Sequence, residues 1–193
     1  MVQQMQSYSP SLRANVLLPI RYWVGDESLF GLKTITRRLI TIKGVKPVGQ
    51  VQWSREYYYL YGMAEPKTGE SFFWEFSHLD SYCFGRCLNL FSQAYSHSLN
   101  IIQVDQATAH TAANLKIPKN IILLFQPAHS PELNPIERVW QYIKEFLSWE
   151  LFDSLDDLRN RVREILADEL STKLVASLTG RLSILTSLSV AGI

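Results

Sequence analysis

Two short, almost unbroken apolar runs most constrain what this chain can fold into: Ile101-Ile102-Gln103-Val104-Asp105 and Ile121-Ile122-Leu123-Leu124-Phe125. Each is too brief for a core helix, and neither alternates apolar and polar positions as a half-exposed strand does. Strands of this kind belong in a sheet covered on both faces. Ahead of them, Phe84, Leu88, Leu90, Phe91 and Tyr95 recur at mainly helical spacing within Asp80–Tyr95. Helix, strand and strand in this order point to an α/β sheet with helices packed over it.

The flanking segments complete that picture. Arg21–Asp26 reads as a first strand. Tyr57–Ala64 and Ser71–Phe76 are aromatic-rich runs joined by Glu65-Pro66-Lys67-Thr68-Gly69-Glu70, a connector suited to a tight turn, so a β-hairpin is expected. Its aromatic rings, Tyr57, Tyr59 and Trp74 among them, are read as sheet and core packing rather than base-stacking platforms. Gly44–Val51 is broken by Gly and Pro and is expected to be a loop or edge strand. Further on, Asn134 can cap a helix with Pro135 at its first position and Glu137 at its third, and Ile136, Val139, Trp140, Ile143 and Leu147 form its apolar stripe. Ser154 with Asp157 opens another helix, whose stripe runs from Leu155 through Leu158, Val162, Ile165 and Leu166 to Leu170. No repeat or linker interrupts the 193 residues, so one domain spanning 1–193 is expected, a mixed sheet flanked by helices.

Composition excludes several classes. No apolar run reaches the roughly 18 residues a membrane helix needs, so no membrane partner is expected. Met1–Pro10 lacks the apolar core of a secretory signal, and a cytoplasmic protein is expected. The two cysteines, Cys83 and Cys87, lie on consecutive turns of one expected helix, where a disulfide would close a trivial loop. With His78 and His97 they fit no familiar zinc spacing, so buried thiols are expected. Net charge is only +1, but it is segregated: residues 1–60 carry eight Lys and Arg against three Asp and Glu, and residues 61–193 carry eleven against fifteen. Between Glu27 and Glu56 there is no acid, while Lys33, Arg37, Arg38, Lys43, Lys46 and Arg55 supply six positive charges. Beside a metal site such a segment suits a phosphate backbone; alone it reads rather as a solvated basic loop.

Three acids at element ends raise the question of a metal site. Asp105 follows the apolar strand and would be costly to bury without a cation or good hydrogen bonds, although it could equally cap the turn Gln106–His110. Glu137 lies 32 residues on, where a helix-start glutamate either binds metal or reaches back to the Asn134 cap. Glu132 competes with it in the Pro-rich approach. Asp26 and Glu27 are neighbours on a strand and point to opposite faces, so only one can join the site. Three carboxylates from separate elements suit hard divalent cations.

At these residues the chain resembles the catalytic domain of mariner-like bacterial insertion-sequence transposases of the DDE superfamily, from about Trp23 to the C-terminus. Ser130-Pro131-Glu132-Leu133-Asn134-Pro135-Ile136-Glu137 followed by Trp140 matches the family's third-acid motif. Gly25-Asp26-Glu27-Ser28 with Phe30-Gly31-Leu32 resembles the first-acid motif, in which the first acid of the pair is the ligand; Val104-Asp105 with His110 resembles the second. The segment from Tyr59 to Glu70 looks like the family's hairpin. The resemblance implies a ribonuclease H-like fold. It also implies a triad of Asp26, Asp105 and Glu137 holding two Mg²⁺ or Mn²⁺ ions, and DNA cleavage at element ends followed by strand transfer. The expected partner is DNA, held through Lys33, Arg37, Arg38, Lys43, Lys46 and Arg55, and a homodimer is expected by the same resemblance.

Two departures stand at Gln106, where the family has asparagine, and at His129, where it commonly has an aromatic. Only 25 residues precede Asp26, too few for the family's N-terminal helix-turn-helix region. The expectation is a separately encoded catalytic part working with an N-terminal DNA-binding partner, or a truncated copy. Two alternatives stay open: a silent remnant that binds DNA or dimerises as an inhibitor, and a ribonuclease H-like nuclease outside transposition.

Overall fold

The computed structural model describes residues 18–193 except positions 39, 47, 128, 129, 131 and 132, and except the side chains of 182 and 183. Its centre is a five-stranded sheet of order β3-β2-β1-β4-β5. The strands are β1 (Ile20–Gly31), β2 (Tyr57–Ala64), β3 (Ser71–Phe76), β4 (Leu99–Val104) and β5 (Ile121–Phe125). β1, β2 and β3 pair antiparallel, whereas β4 pairs parallel with both β1 and β5, so the sheet is mixed as the sequence pattern implies.

The two unbroken apolar runs occupy the parallel half. Every residue of β4 is buried, with Ile101 in one apolar cluster and Ile102 and Val104 in the other, on opposite faces. One face is covered by α1 (Ser81–Ala94), whose first turn is capped by the Asp80 carboxylate accepting from the Cys83 N–H at 2.7 Å. Phe84, Cys87, Leu88 and Phe91 of α1 pack there with Trp23, Met63, Ile102 and Val104. Both cysteines are buried free thiols.

The other face carries α2 (Glu137–Phe146), α3 (Leu155–Glu164), α4 (Thr172–Thr179) and α5 (Leu182–Ala191). All five positions of the expected α2 stripe, Ile136, Val139, Trp140, Ile143 and Leu147, are buried in this larger cluster. Ser154 caps α3, accepting from the Asp157 N–H at 3.1 Å, while its hydroxyl donates to the Asp157 carboxylate at 2.7 Å. A π-helical turn, Ile165–Glu169, extends α3 before α4 and α5 close the face. Those last two helices lie beyond the apolar stripe expected from sequence, which ends at Leu170. Among the described residues no single helix is long and apolar enough to cross a membrane.

The hairpin expected from its aromatic runs is present with the same bounds. Gly69 adopts φ +76° in its turn, where a Cβ would collide with the Thr172 carbonyl oxygen, so both conformation and space demand glycine. Arg21 fastens the turn to β1, donating to Glu65 at 3.1 and 2.6 Å and to Glu70 at 2.5 Å. The aromatic reading needs correction at two rings. Tyr57 and Trp74 are 48% and 46% exposed, although α1 reaches the hairpin's outer strand, where Phe91 meets Phe72 edge to face.

β1 is also longer than Arg21–Asp26. Its pairing with β4 ends at Val24↔Gln103, whereas its pairing with β2 runs on to Gly31↔Tyr57. Beyond residue 25 one edge of β1 therefore lacks a strand partner. That step in the sheet, where β4 ends and β1 continues, positions the acids.

Candidate active site

Asp26 projects from β1 toward α2, on the face shared by Tyr22, Val24 and Phe30. Its Oδ2 accepts from the indole Nε1 of Trp140 at 3.1 Å. The opposite residue in β2 is Gly62, where a Cβ would clash with the Trp140 ring and stand 2.9 Å from Phe73. That glycine makes room for the indole that donates to Asp26. Phe30 and Phe73 meet the same indole edge to face, at 6.4 and 5.8 Å between ring centroids.

Glu137 opens α2 close enough for its charge to act on Asp26. The approach to the helix is pinned by Asn134, 3% exposed, whose side-chain amide donates to the Gly25 carbonyl at 2.9 Å. Asn134 also accepts from the Ile136 N–H at 3.4 Å, a long capping bond. The helix proper then runs from Glu137, two residues later than the Pro135 start expected, with Ile136 already in helical backbone geometry. Among the described residues no hydrogen bond returns from the Glu137 carboxylate to Asn134, so this acid is not spent on a capping box. Burial first, then the charges of Glu27 and Glu137, push the Asp26 carboxyl up to about 8, against the opposing bond from Trp140.

Asp105 stands one residue past β4. Asp26 and Asp105 each lie two residues beyond the last β1–β4 pair, Val24↔Gln103, and so reach the same level of adjacent parallel strands. Oδ1 of Asp105 accepts from the Ala107 N–H at 2.9 Å and lies 2.7 Å from Nδ1 of His110, while the side chain stays 45% exposed. Gln106, the departure at the next position, turns away and donates to the Gln126 carbonyl at 2.8 Å.

Further residues outside the expected triad shape the site, first the pair Glu27 and His110. Glu27 points through the sheet to the α1 side, where its carboxylate oxygens both lie 3.1 Å from Nε2 of His110. Burial disfavours charge on that ring, but the Glu27 hydrogen bond and charge, and then Asp105, outweigh it and lift His110 to about 9. Strand parity already announced that Asp26 and Glu27 diverge; nothing local said that His110 waits on the far side. Lys144 is another. It lies seven residues after Glu137 on α2, with its ammonium 5.3 Å from the Phe30 ring centre. Burial lowers its pKa while the charges of Glu137 and Asp26 oppose that. Its helical spacing from Glu137 was the available signal.

The triad is therefore gathered in part. Asp26 and Glu137 act on each other, and Asp105 occupies the neighbouring strand end with Oδ1 turned to His110. As they stand, no three His, Cys, Asp or Glu side chains among the described residues converge on a single ion, and this covers the zinc grouping weighed above as well. Glu132 and His129 lie outside the described residues.

The basic segment is anchored at its ends and open at its tip. Leu32 and Thr34 N–H groups donate to the Glu56 and Gln52 carbonyls at 3.0 and 3.1 Å, and Trp149 Nε1 donates to the Arg37 carbonyl at 3.1 Å. Arg37 is turned inward, donating to Glu145 at 2.8 Å and to the Gln141 carbonyl at 3.1 Å. Lys33, Arg38, Lys43, Lys46 and Arg55 are exposed, with the Lys33 ammonium 4.8 Å from the Trp53 ring centre. Five of the six expected cations thus face outward, and Arg37 is a strut to α2.

A mixed sheet in this strand order, with helices on both faces and carboxylates at the step between β1 and β4, is a ribonuclease H-like fold. Residues 21–159 match the family described as DDE superfamily endonuclease, and the chain belongs to that family. Its fold is similar to that of Mos1 transposase in a paired-end complex with the left transposon end, with TM-score 0.68 and 14% identity over 98% of this chain and 60% of that one. A pre-cleavage Mos1 transpososome gives TM-score 0.69 at 14% identity, over 100% of this chain and 61% of that chain. In sequence, 59 residues are 46% identical to the uncharacterized protein y4pE/y4sA of Sinorhizobium fredii (strain NBRC 101917 / NGR234), covering 30% of this chain and 44% of that protein. The chain thus spans less than two thirds of the length of each of these relatives.

Proposed function

We propose that this chain is the divalent-metal-dependent, DNA-cleaving and strand-joining domain of a transposase, with Asp26, Asp105 and Glu137 as its metal ligands. One observation carries the reading: three carboxylates from β1, the end of β4 and the start of α2 border the step in the sheet, and burial with the charges of Glu27 and Glu137 raises the Asp26 carboxyl, a crowding that a bound cation would offset. Asp26 is crowded by protein and by two further carboxylates, with the Glu27 backbone N–H and the Trp140 indole only partly relieving it. A cation there would offset that repulsion, and an all-oxygen donor set suits Mg²⁺ or Mn²⁺. Mos1 structures with Mn and with Mg share this fold, which supports the choice of ion. When bound, two such ions would supply activation of the attacking oxygen and charge stabilisation at the leaving 3′ oxygen.

The protein's own part is placement. Trp140 holds the Oδ2 oxygen of Asp26. Asn134 fixes the start of α2 against β1, and with it the distance between Glu137 and Asp26. The exposed cations of Lys33–Arg55 would hold DNA by its phosphates, in sequence-independent fashion.

The decisive assay is nicking of supercoiled DNA with Mg²⁺ or Mn²⁺. Metal-dependent nicking that falls by orders of magnitude in Asp26→Asn, Asp105→Asn and Glu137→Gln, at little-changed melting temperature, is the expected result. Joining of a pre-cut 3′ end to a second duplex would extend it to strand transfer. Nicking that survives Asp105→Asn or Glu137→Gln, or a folded wild-type chain inert with either metal, would reject the reading.

A further inference from the structure

Glu27, His110 and Asp105 form a continuous hydrogen-bonded line that passes from the apolar layer under α1 to the site on the opposite face. The Glu27 and His110 side chains are 6% and 1% exposed. The His110 ring lies 4.3 Å from that of Phe84, within the cluster of Trp23, Met63 and Cys87. Polar groups so placed cost free energy unless every donor and acceptor is matched. Here both ring nitrogens are matched, Nε2 by the two Glu27 oxygens at 3.1 Å and Nδ1 by Asp105 Oδ1 at 2.7 Å.

We infer that Glu27 and His110 are positioning residues for metal binding: Glu27 fixes the His110 ring, and the ring fixes the plane of the Asp105 carboxylate. The inference rests on the metal-site reading above. Two features separate it from a merely structural tie. The turn that carries His110 closes without the ring, through His110 N–H and Thr111 N–H donating to the Ala107 carbonyl at 2.9 and 3.2 Å. Furthermore, the ring and the Ala107 N–H both address the same oxygen, Oδ1. Two donors on one oxygen set the carboxylate's rotation and leave Oδ2 turned outward, with no donor among the described residues. Outer-shell partners of this kind orient the ligand and set which oxygen faces the site. The same line gives Glu27 a task distinct from that of its neighbour Asp26.

The test uses the whole chain and Mn²⁺ alone, titrated through the electron paramagnetic resonance signal of the free ion, with a melting curve for each variant. Asp105→Asn should weaken Mn²⁺ binding at least about tenfold. If wild type holds no Mn²⁺, or Asp105→Asn binds it equally well, the metal-site reading falls and this inference falls with it. Once that control holds, His110→Ala and Glu27→Leu should each weaken Mn²⁺ binding by about 10–100-fold. In the His110→Ala background Glu27→Leu should cause no further loss, because Glu27 orients Asp105 only through the ring and its charge merely opposes ionisation of Asp26. Unchanged Mn²⁺ affinity in a folded single variant, or a full additional loss in the double variant, overturns the inference while leaving the metal site standing. Should His110→Ala fail to fold, His110→Gln replaces it under the same criterion.

Discussion

Trp140 Nε1 donates to Asp26 Oδ2 at 3.1 Å, joining residues 114 positions apart and locking the middle of β1 to the start of α2. The bond exists because the β2 residue facing Asp26 is glycine, which leaves the indole room against the sheet.

Gly62→Ala should therefore act on the site without touching an acid. Its Cβ would run into the Trp140 ring, and the ring or the strand must shift. Overpacking of this kind costs about 1–3 kcal/mol. Thermal denaturation should show the loss, and nicking should fall along with it. Equal melting temperatures would mean that the indole has slack the structure does not display.

Trp140→Phe separates packing from the hydrogen bond. The smaller ring keeps most of the packing with Phe30 and Phe73 but deprives Asp26 of its side-chain donor. Leaving a buried acceptor without its partner costs about 1–3 kcal/mol. Since the bond favours the ionised form, Asp26 should hold its proton more tightly in this variant. A carboxyl titration followed by NMR should move upward relative to wild type.

Stability of the metal-free chain should fall as pH rises from weakly acidic to weakly alkaline. Asp26 titrates near 8 in the fold against an ordinary 3.8, so the folded state binds the extra proton across that window, and each rise in pH favours unfolding. His110, near 9 against an ordinary 6.5, adds stability that is complete below 6.5 and is lost as pH climbs through 9. Asp26→Asn should flatten the melting-temperature profile between about pH 4 and 8. His110→Gln should flatten only the alkaline part. Parallel profiles for wild type and Asp26→Asn would contradict the burial argument.

Asn134→Ala removes the tie between the α2 approach and the Gly25 carbonyl. The buried carbonyl loses its partner, at a cost of about 1–3 kcal/mol. Because Glu137 follows three residues later, nicking should drop by more than the stability loss explains when assayed well below the melting temperature.

The basic segment should divide in two. Replacing Arg38, Lys43 and Lys46 with alanine should reduce the slope of log DNA affinity against log salt by up to about 3, at about 0.9 for each phosphate no longer neutralised. Arg37→Ala should change that slope less and lower the melting temperature slightly, since its partly exposed pair with Glu145 is worth no more than about 1 kcal/mol. An equal effect of Arg37 and its exposed neighbours on the slope would undo the division.

Local pattern alone determined much of this protein. The unbroken runs at 101–105 and 121–125 were readable as strands, with β4 buried throughout and the edge strand β5 only partly so; the aromatic hairpin followed from its turn residues, and the stripes of α2 and α3 followed from their spacing. These features depend on residues within one or two turns of each other, where backbone geometry dictates which side chains share a face. The opposed directions of Asp26 and Glu27 were readable for the same reason. Only the tertiary structure decided that Asp26 meets Trp140 while Glu27 meets His110, that Arg37 turns to Glu145, and that Tyr57 and Trp74 stay half open. Each of those outcomes depends on which helix crosses which face of the sheet. That choice is made by apolar burial summed over the whole core, and no window of sequence contains it.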